Sequence, residues 1–187
     1  SRTNWPYHLT VVDDASDATT QSALQTLSRG PAPMRLLRNQ KNRGFAATVN
    51  RGIRAGSAPY VCLLNSDVMV TPGWLTKMVM ALHADERNAI VCPATNNTAV
   101  VEIPMSPGAS YLHMADAFEG FAMRRYPEIM PTGFCFLFRR SLLEQVGYFD
   151  EGYRFAGEET DLWWKVIKAG GRAVMADDAY VFHERAS

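Results

Sequence analysis

The stretch Tyr60-Val61-Cys62-Leu63-Leu64-Asn65-Ser66-Asp67 decides how the chain is read. Its first five residues form an apolar run, long enough for a buried strand and too short for an ordinary helix. The run stops at an amide and a carboxylate. Asp67 is therefore expected at the strand's carboxyl end rather than inside the core.

Similar short runs occupy residues 8–13 and 34–38 upstream and 89–93 and 133–139 downstream, with Ala173 and residues 180–182 near the end. Longer amphipathic segments lie between them. Phe45, Val49 and Ile53 repeat at i, i+4 and i+8, predicting a helix over 45–54 that stops before Gly56, with Arg51 and Arg54 on its other face. Thr71-Pro72 is a helix opening, and Trp74, Met78 and Leu82 mark the buried side of the helix it begins. Ser141 and Glu144 have the spacing of a capping box, and a helix over 159–169 ends at Gly170-Gly171. Strands alternating with helices predict an α/β fold: three layers, a mostly parallel twisted sheet with helices on both faces. Residues 93–131 break the rhythm with five prolines and read as a long excursion with one helix near 111–123, on the side where the variable substrate is held.

The 187 residues are 47% hydrophobic and 20% charged, which suits a single domain over 1–187 with a substantial core. Nineteen basic residues balance nineteen acidic ones, so no nucleic-acid stripe or polybasic membrane patch is indicated. No run reaches the roughly 18 apolar residues of a spanning helix, and any membrane association would come from segments outside this sequence. Cys62, Cys92 and Cys135 are odd in number and set in apolar surroundings, which fits buried, reduced thiols and a cytoplasmic location, in a longer protein at the inner membrane face.

Several groups carry chemistry. Asp13 and Asp14 follow a strand, where open α/β sheets bind ligands; Asp13 can accept from a nucleobase, or Asp14 or Ser16 can simply cap a helix beginning near Ala18. Asn42-Arg43-Gly44 offers a turn and a guanidinium suited to phosphate or a base edge, or else a solvated arginine. Asn65-Ser66-Asp67 suits magnesium or manganese, which take oxygen ligands and keep places for phosphate, or an Asx turn. Glu158, Glu159 and Asp161 gather at a helix N-terminus, where one can act as a base and the others can complement the macrodipole. His183 is either a divalent-metal ligand or an ordinary strand histidine. Trp163 and Trp164, adjacent on a helix, cannot share a face: one is expected in the core and the other toward a cleft or a partner surface. Phosphate-loop, dinucleotide, nucleophile-elbow and zinc-protease patterns all fail on a required residue.

Taken in order, Val12-Asp13-Asp14-Ala15-Ser16, Asn42-Arg43-Gly44-Phe45, Asn50-Arg51-Gly52, Leu64-Asn65-Ser66-Asp67, Thr132-Gly133, Val146-Gly147-Tyr148-Phe149-Asp150, Gly157-Glu158-Glu159-Thr160-Asp161-Leu162 and His183 resemble the family 2 glycosyltransferases. The resemblance runs from about His8 to the end. It implies the GT-A fold, a nucleotide-diphosphate sugar donor and a divalent metal, Mn2+ or Mg2+. By this likeness Asp13, Asp14, Arg43, Ser66 and Asp67 hold the donor, Asp67 and His183 hold the metal, and Glu159 is the catalytic base of an inverting transfer. Gly133, Glu158, Asp161 and Trp163 would contact the acceptor or support the site. Asn65 stands where the family's Asp-x-Asp has its first aspartate, Glu159 where an aspartate is usual, and Ser187 follows His183 by four. The acceptor implied is a hydroxyl of a glycan, a lipid-linked sugar or another molecule, in polysaccharide assembly. A noncatalytic nucleotide-sugar-binding or scaffold domain is the alternative. Residues 1–7 are too short for the family's opening strand and helix, so a domain truncated at its N-terminus is expected.

Overall fold

The computed structural model describes residues 3–31, 33–98, 103–105, 107–153 and 156–184. Strands β1 (Leu9–Asp13) and β2 (Met34–Arg38) flank helix α1 (Ala18–Ser28). Helix α2 (Phe45–Arg54) leads to β3 (Tyr60–Leu64) and the short β4 (Val68–Val70). Then come α3 (Trp74–His83), β5 (Asn88–Thr95) and α4 (Tyr111–Phe121). β6 (Cys135–Arg139), α5 (Leu142–Val146), α6 (Glu158–Lys168) and β7 (Arg172–His183) complete the order.

β1 and β2 pair in parallel as a two-stranded sheet, and the other five strands form a sheet of order β3-β6-β5-β7-β4. β5 and β7 are parallel, while β6 is antiparallel to both its neighbours and β4 is antiparallel to β7. β3, β5 and β7 therefore share one direction, and only β6 and β4 run against it. Helices cover both faces, as the alternation of elements predicts. On one side Met78 and Leu82 of α3 pack on Val91, Leu137 and Val174; on the other Ile53, Leu162 and Val166, from α2 and α6, pack on Ile90, Phe136 and Phe138. Among the described residues no helix is long and apolar enough to cross a membrane.

α2 ties the two sheets together. Ala46 and Ile53 enter the larger core, while Gly52 lies so close to β1 that a Cβ there would stand 3.1 Å from Val12 Cγ2. Arg51 completes the contact by donating to the Arg38 carbonyl at 2.7 Å.

Several local expectations differ from the structure. Neither Asp14 nor Ser16 caps α1; Asp17 does, accepting the Thr20 N–H at 2.7 Å. The Thr71 hydroxyl donates to the Tyr180 carbonyl instead of capping α3, which starts from left-handed Gly73. Ser141 makes no side-chain cap, since its own backbone is already helical at φ −60 and ψ −19. Residues 172–183 form one strand rather than two because Asp177 and Asp178 sit in an irregularity where the register shifts between Pro93 and Ala94. The excursion is partly sheet-bound: Glu128 bridges Val174 antiparallel, and Ile129 N–H donates to the Ala173 carbonyl at 3.0 Å. The three cysteines are free, and burial pushes the Cys92 thiol up to about 12.

Candidate active site

Strand direction assembles the site. β3, β5 and β7 end at one edge of the larger sheet, and the reversed β6 and β4 begin there; the registers pair Leu64 with Cys135, Thr95 with Val181 and Val68 with His183. Residues just beyond those ends, remote in sequence, are neighbours in space.

His183 is held from several directions. Its N–H donates to Asn96 Oδ1 at 2.8 Å, its carbonyl accepts from Asn96 Nδ2 at 3.1 Å, and its ring stacks on Phe134 with centroids 5.2 Å apart. Its Nδ1 lies 2.8 Å from the Asn97 carbonyl oxygen. A carbonyl only accepts, so Nδ1 carries the proton and donates it. In the neutral ring the Nε2 lone pair is left facing Asp67 Oδ2 at 3.4 Å. Two electron-pair donors at that separation call for a proton or a cation between them. Asp67 is fixed in turn, because its carbonyl accepts the Glu184 N–H at 2.8 Å.

An imidazole and a carboxylate suit manganese or magnesium, with the other coordination places left to phosphate oxygens and water. Among the described residues no group of three or more His, Cys, Asp or Glu forms a metal cluster, so Asp67 and His183 would act as a pair. Asn65, at the first position of the acidic motif, lines the cleft and is anchored through its N–H to the Phe134 carbonyl at 2.8 Å.

A cleft of about 310 Å³ opens beside this pair. It is lined by His183 and Asn65, by Asn97 and Thr98 after β5, by Thr132, Gly133 and Phe134 before β6, by Phe45, and by Glu158 and Glu159 of α6. Its volume is at the low end of the roughly 300–1,000 Å³ usual for small-molecule sites. A Cβ at Gly133 would meet Glu159 Oε1 at 3.5 Å, so any longer side chain there would press on the carboxylate. His183 and Glu159 thus face one space, with Asp67 in contact with the first.

Other residues singled out in the sequence stand elsewhere. Asp161 pairs with Lys165 at 2.6 Å along its own helix. Trp163 packs against the core of Phe136, Phe138 and Leu162 while Trp164 is exposed, as adjacent helical positions should be, with the two ring centroids 5.5 Å apart. Ser66 is exposed in the turn and does not line the cleft.

Asp13, Asp14 and Arg43 form a second group at the end of β1, joined to the cleft through Phe45. Asp13 is 5% exposed, accepts the Ser16 N–H at 2.9 Å and pairs with Arg38. Burial alone would raise its pKa; the Ser16 hydrogen bonds and the Arg38 guanidinium outweigh that and hold it below the ordinary carboxylate range. Asp14 accepts from Asn39 Nδ2 at 2.7 Å and from the N–H groups of Arg43 and Gly44 at 2.9 Å each. Its pKa is also lowered, again because these bonds exceed the cost of burial. In the free protein both carboxylates are occupied by protein donors, and Asp14 shapes the loop that presents Arg43. The Arg43 guanidinium reaches Glu151 at 3.3 Å, and Glu151 is steadied by fully buried Asn50 at 3.0 Å.

Sequence reasoning missed Phe45, Asn97 and Phe134. Phe45 reads as part of an apolar helix face, yet it is 38% exposed and lines the cleft. Asn97 contributes a backbone carbonyl, which no side-chain pattern announces.

Residues 2–147 match the sequence model of Glycosyl transferase family 2. The chain belongs to this family. It is 28% identical over 181 residues to the pre-mycofactocin glycosyltransferase of Mycobacterium tuberculosis, an alignment covering 93% of this chain and 37% of that protein. It is also 28% identical to the N-acetylglucosaminyl-diphospho-decaprenol L-rhamnosyltransferase of the same species, covering 98% of this chain and 68% of the relative. Among solved structures, the mannosyltransferase PcManGT from Pyrobaculum calidifontis, in complex with GDP-Man and Mn2+, superposes with a TM-score of 0.71 at 20% identity, covering 97% of this chain and 50% of that one. GalNAc-T7 with UDP, GalNAc and Mn2+ gives 0.70 at 15% identity, covering 94% and 37%. At such identities these structures establish the GT-A fold alone. The chain spans little more than a third of the pre-mycofactocin relative.

Proposed function

We propose that the protein transfers a sugar from a nucleotide-diphosphate donor to an acceptor hydroxyl with inversion at the anomeric carbon. The observation that carries this reading is the His183 ring: its proton is committed to the Asn97 carbonyl, its lone pair faces Asp67 at 3.4 Å, and it shares a cleft with Glu159. Family membership supports the same chemistry. Asp67 and His183 would hold a divalent cation, which would supply positive charge to neutralise the diphosphate. Glu159 accepts the proton of the acceptor hydroxyl as its oxygen bonds to the anomeric carbon and the bond to the nucleoside diphosphate breaks. The small Gly133 leaves that carboxylate approachable. Asp14 holds the loop that brings Arg43 to the nucleotide, with Asp13 and Ser66 flanking the donor. The acceptor is a hydroxyl of a glycan or lipid-linked sugar, and the free thiols, buried at Cys92 and Cys135 and half-buried at Cys62, suit transfer in a reducing, cytoplasmic setting.

Glu159→Gln preserves shape and removes the base. It is expected to bind nucleoside diphosphate with manganese as before and to lose about 10²–10⁴-fold in transfer. Undiminished turnover in this variant removes Glu159 from the role.

A further inference from the structure

Cys62 and Cys135 are neighbours on one face of the larger sheet. β3 and β6 run antiparallel with Leu64 opposite Cys135 and Cys62 opposite Leu137, so the two cysteines stand diagonally across the strand pair. Both point toward α3: Cys135 is buried in the core on that side, and half-buried Cys62 packs against the same cluster. Burial first, and then hydrogen-bonded contact with the Cys62 thiol, push the Cys135 thiol well above its ordinary range, so it stays protonated. Cys92 differs, being 1% exposed and part of the core on the opposite face. β3 stands at the end of the five-stranded order and is bonded within that sheet to β6 alone. Just past the thiols, the Asn65 N–H donates to the Phe134 carbonyl at 2.8 Å, and the Phe134 ring stacks on His183. The two sulfurs thus lie directly before the corner that carries Asp67 and His183.

We propose that Cys62 and Cys135 form a reversible disulfide on exposure to peroxide, and that this bond loosens the cation site by drawing β3 against β6. The second half rests on the reading of Asp67 and His183 as a metal pair. The half-buried Cys62 thiolate attacks hydrogen peroxide: its S–O bond forms, the O–O bond breaks, and the released hydroxide takes up a proton and leaves as water. The Cys135 thiol then attacks the sulfenic sulfur. The S–S bond forms, the S–O bond breaks, and the Cys135 proton departs with the hydroxyl as a second water. Each sulfur gives up one electron, and the peroxide is reduced by two. Diagonal neighbours in a sheet have Cα atoms about 7–8 Å apart, whereas a disulfide holds them at about 4.4–6.8 Å, so closure pulls the strands together by about 1 Å. β3, with a ladder on one side only among the described residues, is the strand that moves. Asn65 and Asp67 follow it, while His183 stays with Asn96 and Asn97 after β5.

The test begins with the unmodified protein, so it does not depend on a variant folding. The protein is treated with hydrogen peroxide and followed by mass spectrometry with peptide mapping. The expected product is a Cys62–Cys135 cross-link, lighter by two hydrogens and opened again by dithiothreitol. Manganese affinity in saturating UDP is then compared between the oxidised and reduced forms. Disturbing the groups that orient a metal ligand typically costs about 10–100-fold in metal affinity, so oxidation is expected to weaken manganese binding by about that factor, with recovery on reduction. The loss should vanish in Cys62→Ala and persist in Cys92→Ala. Absence of a cross-link, or one made through Cys92, overturns the proposal. So does an oxidised protein that binds manganese as tightly as the reduced one, or a peroxide-induced loss that survives in Cys62→Ala. If the reduced protein binds no manganese in the presence of UDP, the metal-pair reading fails instead, and the mapped cross-link decides the thiol chemistry by itself.

Discussion

Replacing His183 by alanine tests the centre of the site most directly. The substitution deletes the Nε2 lone pair that faces Asp67, the Nδ1 bond to the Asn97 carbonyl and the stacking on Phe134. The lost hydrogen bond is worth about 1 kcal/mol and the ring contact about 0.5–1.5 kcal/mol, so the fold should weaken by about 2 kcal/mol. For a chain of this size that lowers the thermal midpoint by about 4–8 °C. The functional effect should be larger. Removing a group that merely orients a metal ligand typically costs about 10–100-fold in metal affinity, so removing the ligand itself should cost at least about 100-fold. Titrating manganese into the protein with saturating UDP, followed by the loss of the free-ion electron paramagnetic resonance signal, measures this directly. Phe134→Leu serves as the control: it loses the stacking and part of the stability while keeping the imidazole. If His183→Ala binds manganese as tightly as the unmodified protein, Asp67 and His183 are not a metal pair and the reading of the cleft fails.

Asp14→Ala strips acceptors from Asn39, Arg43 and Gly44 and should cost about 2–3 kcal/mol, seen as a lower urea midpoint. Because the folded pKa values of Asp13 and Asp14 lie below their ordinary 3.8, their contribution to stability is full above that value and is lost as pH falls through the folded values. Acid unfolding should therefore be less steep in Asp14→Ala than in the unmodified protein, and parallel curves would count against the linkage. Gly133→Val places a branched side chain against Glu159 and should abolish transfer while sparing UDP binding; full activity would show that the acceptor does not approach from that side.

The elements most legible in the sequence were those whose own pattern decides them. Residues 34–38, 45–54 and 60–64 carry continuous or periodic apolarity and fold as β2, α2 and β3. β4 escaped because three residues hold no period; it exists by pairing with β7. The caps misled for a related reason: Thr71 has the chemistry to cap a helix, but the Tyr180 carbonyl, supplied from far along the chain, claims its hydroxyl. In the site, the nearness of Asp67, His183 and Glu159 follows from strands that end together and a helix that begins beside them. Asp161 and Trp163, close in sequence to Glu159, turn toward Lys165 and the core because successive helical positions face different directions. Local spacing could not reveal that Asp13 and Asp14 are already engaged, since Arg38 and Asn39 reach them from the neighbouring strand.

The carbonyl that fixes the His183 tautomer belongs to the main chain at Asn97, and this has an evolutionary corollary. Residue 97 can drift among amino acids without disturbing imidazole protonation, since every one of them brings the same oxygen. Loop length tolerates no such drift: deleting or inserting a single residue between Thr95 and Asn97 would withdraw the oxygen while leaving every recognisable motif intact. Homologues compared letter by letter would miss the constraint, and those compared by gap placement would show it.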